Sequence, residues 1–241
     1  MRLVQLEIRG WSLIQPTVLT TSSQPAFATA KATPGAGLEL RGIACERGGR
    51  RLFGKLDCKI GHGQLLRVTG VNGSGKTSLL RMVCGLLAPA EGSVLWRQRP
   101  ITSYGEDYGR NMVYMGHAAA LKDDLSALEN LQIACLLGGI RITANQALGA
   151  LRLAGLGGRE RLAARLLSQG QRRRVALARL VLASATPLWI LDEPFNALDA
   201  AATEWLCGLI SAHLAEQGVV VLTSHQSVRL DNTGGQVRVE L

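Results

Sequence analysis

Aromatic residues are scarce: four Trp, three Tyr and three Phe in 241 residues, 4% of the chain. So thin a supply excludes a platform on which successive nucleic-acid bases stack. The net charge of +9 does not restore that reading, because the cations are dispersed and the one dense run is Arg172-Arg173-Arg174. No nucleic-acid partner is expected. No apolar run approaches the roughly 18 residues that cross a bilayer, so the chain is not expected to span a membrane unaided. Cys45, Cys58, Cys84, Cys135 and Cys207 form no C-x-x-C pair and no C-x-x-C-H, which excludes covalent haem attachment. Their scatter fits reduced thiols in a cytosolic setting, most of them core filler. The four histidines have no metal-ligand spacing. With 47% apolar and 19% charged residues, the chain is long enough for one large domain or two small lobes.

Acidic residues are missing altogether from residues 16–36, a stretch rich in Thr, Ser, Pro, Ala and Gly. Such a segment buries too little to order itself, and residues 1–36 are expected to form a flexible extension. With only Arg2, Arg9 and Lys31 as cations it is a weak organellar transit peptide, and it lacks the basic start and apolar core of a secretory signal. A misassigned start is the other reading of these residues. From Leu38 the pattern becomes regular. Strands are expected at LELRGIAC, RLFGKLDCKI, Leu65–Val68, Ser93–Trp96, Met112–Met115, Leu188–Leu191, Val219–Ser224 and Val237–Leu241. Helices are expected over Ser78–Leu87, Ser126–Leu137, Thr143–Ala154, Ser168–Leu182 and Ala200–Gln217. Strands alternating with helices imply a mostly parallel α/β sheet. The helical middle, about residues 118–185, has no strand of its own and reads as an inserted lobe.

Residues 70–77, GVNGSGKT, have the form G-x-x-x-x-G-K-T between a predicted strand and a predicted helix. This is a phosphate-binding loop, with glycines that let backbone N–H groups close around a β-phosphate. Gly70, Val71, Asn72, Gly73, Ser74 and Gly75, with Lys76, Thr77 and Ser78 opening the helix, form the expected ATP-binding set. Lys76 is expected between the β- and γ-phosphates and Thr77 on Mg²⁺. A second signal, LWILDEP over Leu188–Pro194, ends an apolar strand in two acids. Asp192 is expected to hold Mg²⁺ through a water, and Glu193 to act as general base on the attacking water. The third, LSQGQ over Leu167–Gln171, opens a helix with Ser168 as N-cap and Gly170 permitting close approach, a second anion site.

These three motifs in this order resemble the ATP-binding-cassette ATPases, whose signature is usually LSGGQ; here Gln169 stands in place of a glycine. The resemblance implies a P-loop NTPase fold with a RecA-like core sheet and an inserted helical subdomain, the cassette occupying residues 37–241. It implies a homodimer in which Ser168, Gly170 and Gln171 of one subunit cover the γ-phosphate held by the loop of the other. It makes Arg172–Leu180 the continuing signature helix, with its charges at the surface and in subdomain contacts. In NALD, Asn196–Asp199, it places Asp199 across the dimer interface. In TSHQ, Thr223–Gln226, it makes His225 the switch histidine at the γ-phosphate.

Two positions depart from the cassette pattern. A glutamine that touches Mg²⁺ in the family is replaced by His117 within YMGH, a contact that would be sensitive to pH. The aromatic residue that stacks on adenine is replaced by Arg47, whose guanidinium can also stack on a base. CERGGRRLF, GLLAPAEGSVLWRQRPI, YMGHAAALKDDLSALENL, LSQGQRRRVALARL and LWILDEPFNALD together resemble the ATPases of cytochrome c maturation, the ATP-binding subunits of haem exporters. That resemblance covers roughly residues 38–241. It implies a peripheral subunit on the cytoplasmic side of a bacterial inner membrane, with an integral membrane permease as partner. ATP hydrolysis would then drive haem export or the release of a haem-loaded chaperone, and the lobe near residues 117–135 would pass the motion on. The same motifs would serve a transporter of lipid, drug or metal. A non-transport cassette ATPase is the alternative from another class, but neither a long coiled coil between the motifs nor a second cassette is present.

Overall fold

A tight two-residue turn at Gly48-Gly49, both with positive φ, sends β1 (Leu38–Arg47) straight back as β2 (Arg50–Ile60). Glycine is required there because both central residues of such a turn occupy the left-handed region. In this computed structural model, which describes residues 37–224 and 235–241, the expected extension over residues 1–36 and the expected histidine at 225 lie outside the described residues. β4 (Glu91–Trp96) pairs with the other side of β1, and the short β5 (Arg99–Pro100) completes an antiparallel sheet of order β2-β1-β4-β5. This antiparallel layer stands apart from the parallel sheet, because hairpins rather than helical crossovers join its neighbouring strands β1–β2 and β4–β5.

The parallel sheet has the order β6-β7-β8-β3-β9 among the described residues. Its strands are β3 (Leu65–Thr69), β6 (Met112–Met115), β7 (Leu188–Leu191), β8 (Val219–Thr223) and β9 (Gln236–Glu240). Side chains alternate between its faces, as period-two strands require. Leu66, Val68, Leu188, Ile190, Val219 and Val221 share a core with Leu38, Leu40, Ile43 and Trp96 of the antiparallel sheet and with α1 (Lys76–Val83). Leu65, Trp189, Leu191, Val220 and Leu222 face the other way, onto α5 (Gln169–Leu182) and α6 (Ala200–Ala215). Such continuous apolar strands are what a sheet covered on both faces needs.

Between β6 and β7 lie α3 (Ala127–Leu137), α4 (Ala144–Leu153) and α5. Their ends are written in the sequence. Ser126 with Glu129, Thr143 with Gln146, and Ser168 with Gln171 each form a reciprocal capping box, which satisfies two orphan donors at each helix start. A separate core of Leu131, Cys135, Ala147, Leu151, Val175 and Ala178 joins the three helices. Because Leu177 and Leu180 of α5 face the sheet instead, α5 belongs to both packing units. One helix ends early. Expected to reach Leu87, α1 stops at Val83 because Gly85 adopts φ 72, with Leu86 N–H bonded to Arg81 O at 2.8 Å and Gly85 N–H to Met82 O at 3.0 Å. That pair of bonds is the glycine-terminated helix stop. A short α2 (Asp107–Arg110) precedes β6.

His213 on α6 stacks face to face on Trp189 of β7, with centroids 3.8 Å apart and planes 3° from parallel. Burial pushes the His213 imidazole down to about 4. The unfolded chain takes up this proton near the ordinary histidine value and the folded chain does not, so stability holds above about pH 6.5 and falls as pH drops toward 4. Between pH 7 and pH 5 the protein is therefore expected to lose about 2 kcal/mol more than a His213→Phe variant, which keeps the stack without the titration. Urea unfolding at the two pH values reads this difference, and parallel losses in the two proteins would contradict it.

Candidate functional site

β3 delivers the phosphate loop, and α1 begins directly behind it. Gly70, Gly73 and Gly75 adopt φ 140, 84 and 109, so the loop uses the backbone region that side chains disfavour. Gly75 is the N-cap of α1 and supplies no side-chain cap, which leaves the first N–H groups of the helix for an anion. The buried Lys76 ammonium donates to Gly70 O at 2.8 Å and Val71 O at 3.0 Å, folding back over its own loop. Ser74 N–H closes the loop on Val71 O at 3.2 Å.

The ends of β6, β7 and β8 meet beside this loop. Asp192, which follows β7 and is 2% exposed, accepts from Thr77 Oγ1 at 2.9 Å and from Thr223 Oγ1 at 2.7 Å. Its backbone N–H bonds to Met115 O of β6 at 2.8 Å. Thr223, fully buried at the end of β8, also accepts from Glu193 N–H at 2.8 Å. Its one hydroxyl thus serves both acids, donating to one and accepting from the next, as a buried hydroxyl must if it is to be satisfied. Sequence reasoning missed Thr223; the available signal was a hydroxyl at the end of an apolar strand, two residues before the histidine that drew attention. Glu193 itself sits at φ 49, a conformation that costs a non-glycine residue about 1–3 kcal/mol and persists only where its surroundings enforce it.

Arg173 requires a correction. The run Arg172–Arg174 was expected at the surface and in subdomain contacts, yet Arg173 is 4% exposed. Its Nη1 donates to Gly116 O at 2.9 Å and His117 O at 3.1 Å, its Nη2 to Asp192 O at 2.8 Å and Glu193 O at 2.9 Å, and its Nε to Pro194 O at 3.4 Å. Burial lowers its proton affinity, while the Asp192 and Glu193 carboxylates raise it. Arg172 pairs with Asp123, and Arg174 with Asp199.

A cleft of about 670 Å³ collects most of the expected residues: Asn72, Gly73, Gly75, Lys76, Thr77, Ser78, His117, Asp192, Glu193 and Arg47. Gly48 and Leu52 of the β1–β2 hairpin and Asn196 also line it; none had been singled out as a site residue. Gly70, Val71 and Ser74 are not among its lining residues, nor are Ser168, Gly170, Gln171 and Asp199. Ser168 is exposed at the N-cap of α5, where Ser168 N–H donates to Gln171 Oε1 at 3.0 Å and Gln171 N–H to Ser168 Oγ at 3.3 Å. A Cβ on Gly170 would stand 2.6 Å from Ala197 O, so glycine there lets the turn before α6 pack against the start of α5. Asp199 caps α6 through Ala202 N–H at 2.8 Å while pairing with Arg174.

Among the described residues no cluster of three or more His, Cys, Asp or Glu assembles. One carboxylate beside one hydroxyl suits Mg²⁺, a hard cation that takes oxygen ligands, keeps several waters and draws others from phosphates.

A phosphate loop facing a paired acid across the end of a parallel sheet, with a helical lobe inserted between them, defines an ATP-binding-cassette ATPase domain. The ABC transporter family model matches residues 53–196. The cytochrome c biogenesis ATP-binding export proteins CcmA of Dechloromonas aromatica, Nitrosomonas europaea and Pseudomonas aeruginosa are 51, 52 and 47% identical to this chain. These alignments cover 80, 79 and 80% of it, and 94, 89 and 95% of the relatives. The chain belongs to this family of cytochrome c biogenesis ATP-binding proteins within the ABC transporters. Its fold is similar to that of a putative ABC transporter ATP-binding protein from Pyrococcus furiosus, with a TM-score of 0.72 at 24% identity, covering 83% of this chain and 96% of that one. It is also similar to a dimeric ATP-binding cassette in a post-hydrolysis state bound to ADP and Pi, with a TM-score of 0.68 at 24% identity, covering 78% and 88%.

Thr223→Val keeps the shape of the side chain but leaves Glu193 N–H and one Asp192 oxygen without their partner. It is expected to lower stability by about 1–3 kcal/mol, with Thr223→Ser retaining most of the wild-type value. Denaturant unfolding of the three proteins measures this, and a Val variant as stable as wild type would contradict the bonding scheme.

Proposed function

We propose that this chain is the ATP-hydrolysing subunit of a membrane complex for cytochrome c biogenesis, working as a pair of copies bound to an integral membrane permease. The observation that carries the proposal is the single cleft in which Lys76, Thr77, Asp192 and Glu193 converge. Lys76 and the loop amides bind the β- and γ-phosphates, which requires Lys76 to exchange the Gly70 and Val71 carbonyls for phosphate oxygens. Arg47 stacks on the adenine. Thr77 and Asp192, with His117 at the edge, would hold Mg²⁺, which would offset the negative charge of the phosphates. Glu193 accepts a proton from the water that attacks the γ-phosphorus, and ADP and phosphate leave. His225 stabilises the charge that develops on the γ-phosphate.

Support for a second copy comes from the exposed start of α5. Ser168, Gly170 and Gln171 present a helix N-terminus outside the cleft of their own chain, where it is available to the γ-phosphate of another, with Asp199 at the contact. No helix among the described residues is long and apolar enough to cross a membrane; the relatives' naming as export proteins supports a separate permease as the partner. In this reading the chain works on the cytoplasmic side of a bacterial inner membrane, where hydrolysis drives haem export or the release of a haem-loaded chaperone.

Glu193→Gln is expected to lower ATP hydrolysis by at least about 100-fold and to trap an ATP-bound dimer, seen by size-exclusion chromatography. In a deletion strain, haem staining should show c-type cytochromes restored by the wild-type gene and not by Glu193→Gln. Unchanged cytochromes in the deletion would overturn the biogenesis role, and wild-type hydrolysis by Glu193→Gln would overturn the assignment of the base.

A further inference from the structure

We propose that Arg173 is the positioning residue for the hydrolytic carboxylate, its guanidinium clamping the backbone on both sides of Glu193 and tying it to the Gly116-His117 turn and to the start of α5. This inference rests on the role proposed for Glu193.

An arginine has five N–H donors in a rigid planar fork, and all five here point at main-chain carbonyls. Burying a guanidinium is costly unless every donor is used, so so complete a set of bonds marks a built position. Three of the carbonyls, those of Asp192, Glu193 and Pro194, are consecutive, and the other two follow β6, the strand next to β7. Nη2 alone holds the carbonyls before and after the Glu193 α-carbon. The Glu193 N–H donates to Thr223 Oγ1 at 2.8 Å. The Glu193 backbone is therefore fixed at its N–H and its C=O, in a left-handed conformation it would not choose by itself.

The clamp also has a direction. Arg173 lies on the second turn of α5, the helix whose first residues carry Ser168 and Gly170. Arg174 beside it holds Asp199, and Gly170 packs on Ala197. Any displacement of the α5 start is thus carried by a buried, fully bonded side chain to the peptide units around Glu193 of the same chain. A lysine has three donors about one nitrogen and cannot span five carbonyls; a methionine has none.

Steady-state ATPase assays and equilibrium binding of a fluorescent ATP analogue to the full-length Arg173→Met, Arg173→Lys, Glu193→Gln and Arg173→Met/Glu193→Gln proteins test this. The Met variant is expected to lose about 30-fold in kcat and the Lys variant about 10-fold, with KM and analogue affinity within about threefold of wild type. Because Arg173 acts through Glu193, the double variant is expected to be no slower than Glu193→Gln alone. A kcat within twofold of wild type in either single variant would overturn the proposal, as would loss of analogue binding in step with kcat or an additive double variant. If the Met variant does not fold, the Lys variant, which keeps the charge, decides on the same two readouts. Wild-type hydrolysis by Glu193→Gln would instead remove the reading of the base on which this inference rests, and an inactive Glu193→Gln beside a fully active Arg173→Met would remove only the clamp.

Discussion

The buried carboxylate of Asp192 is the group on which the site depends. A charge so far from solvent needs hydrogen bonds to be tolerated, and it draws them from Thr77 at the start of α1 and Thr223 at the end of β8. Its own backbone is tied to the end of β6. One side chain thereby fixes the relation between the phosphate loop, which follows β3, and the acids that follow β7, although β8 lies between those two strands. Parallel pairing makes this arrangement available, because every crossover returns the chain to the same edge and the loops after the strands gather there. The antiparallel sheet then contributes Arg47, Gly48 and Leu52 from the tip of one hairpin as the outer wall of the cleft.

A second constraint joins the site to the helical lobe. α5 is held in the lobe by Val175 and Ala178 and against the sheet by Leu177 and Leu180, so it moves with neither alone. Its first two turns carry three attachments to the segment between β7 and α6: Gly170 on Ala197, Arg173 on residues 192–194, and Arg174 on Asp199. The end of the helix that would meet a second copy is therefore mechanically continuous with the acid that would act in its own chain. Coupling between two nucleotide sites needs such a shared element, one whose position both sites bias.

Much of this was legible in the sequence. Glycine spacing, the Lys-Thr pair and the apolar strands before each motif placed the loop and the acids, because those patterns follow from local backbone requirements. The lobe helices were placed to within a residue or so, since their capping residues and glycine stops are local signals as well. Legibility failed where the answer depended on packing at a distance. Nothing in Arg172-Arg173-Arg174 tells which arginine turns inward; helical rotation and the carbonyls of two distant strand ends decide it. Thr223 looked like an ordinary strand residue because its partners lie about 30 positions earlier in the chain. The separate antiparallel layer was not foreseen, since a strand pattern does not itself say which strands will be neighbours.

The most direct test of the account is cation binding at Asp192. Titration of Mn²⁺ into the nucleotide-loaded wild-type and Asp192→Asn proteins, read by electron paramagnetic resonance, separates the carboxylate from the phosphate loop. The account predicts that Asp192→Asn still binds nucleotide through Lys76 and the loop amides but holds the cation about 10- to 100-fold more weakly. Equal Mn²⁺ affinity in the two proteins would contradict it and leave Asp192 as a purely structural tie between strand ends.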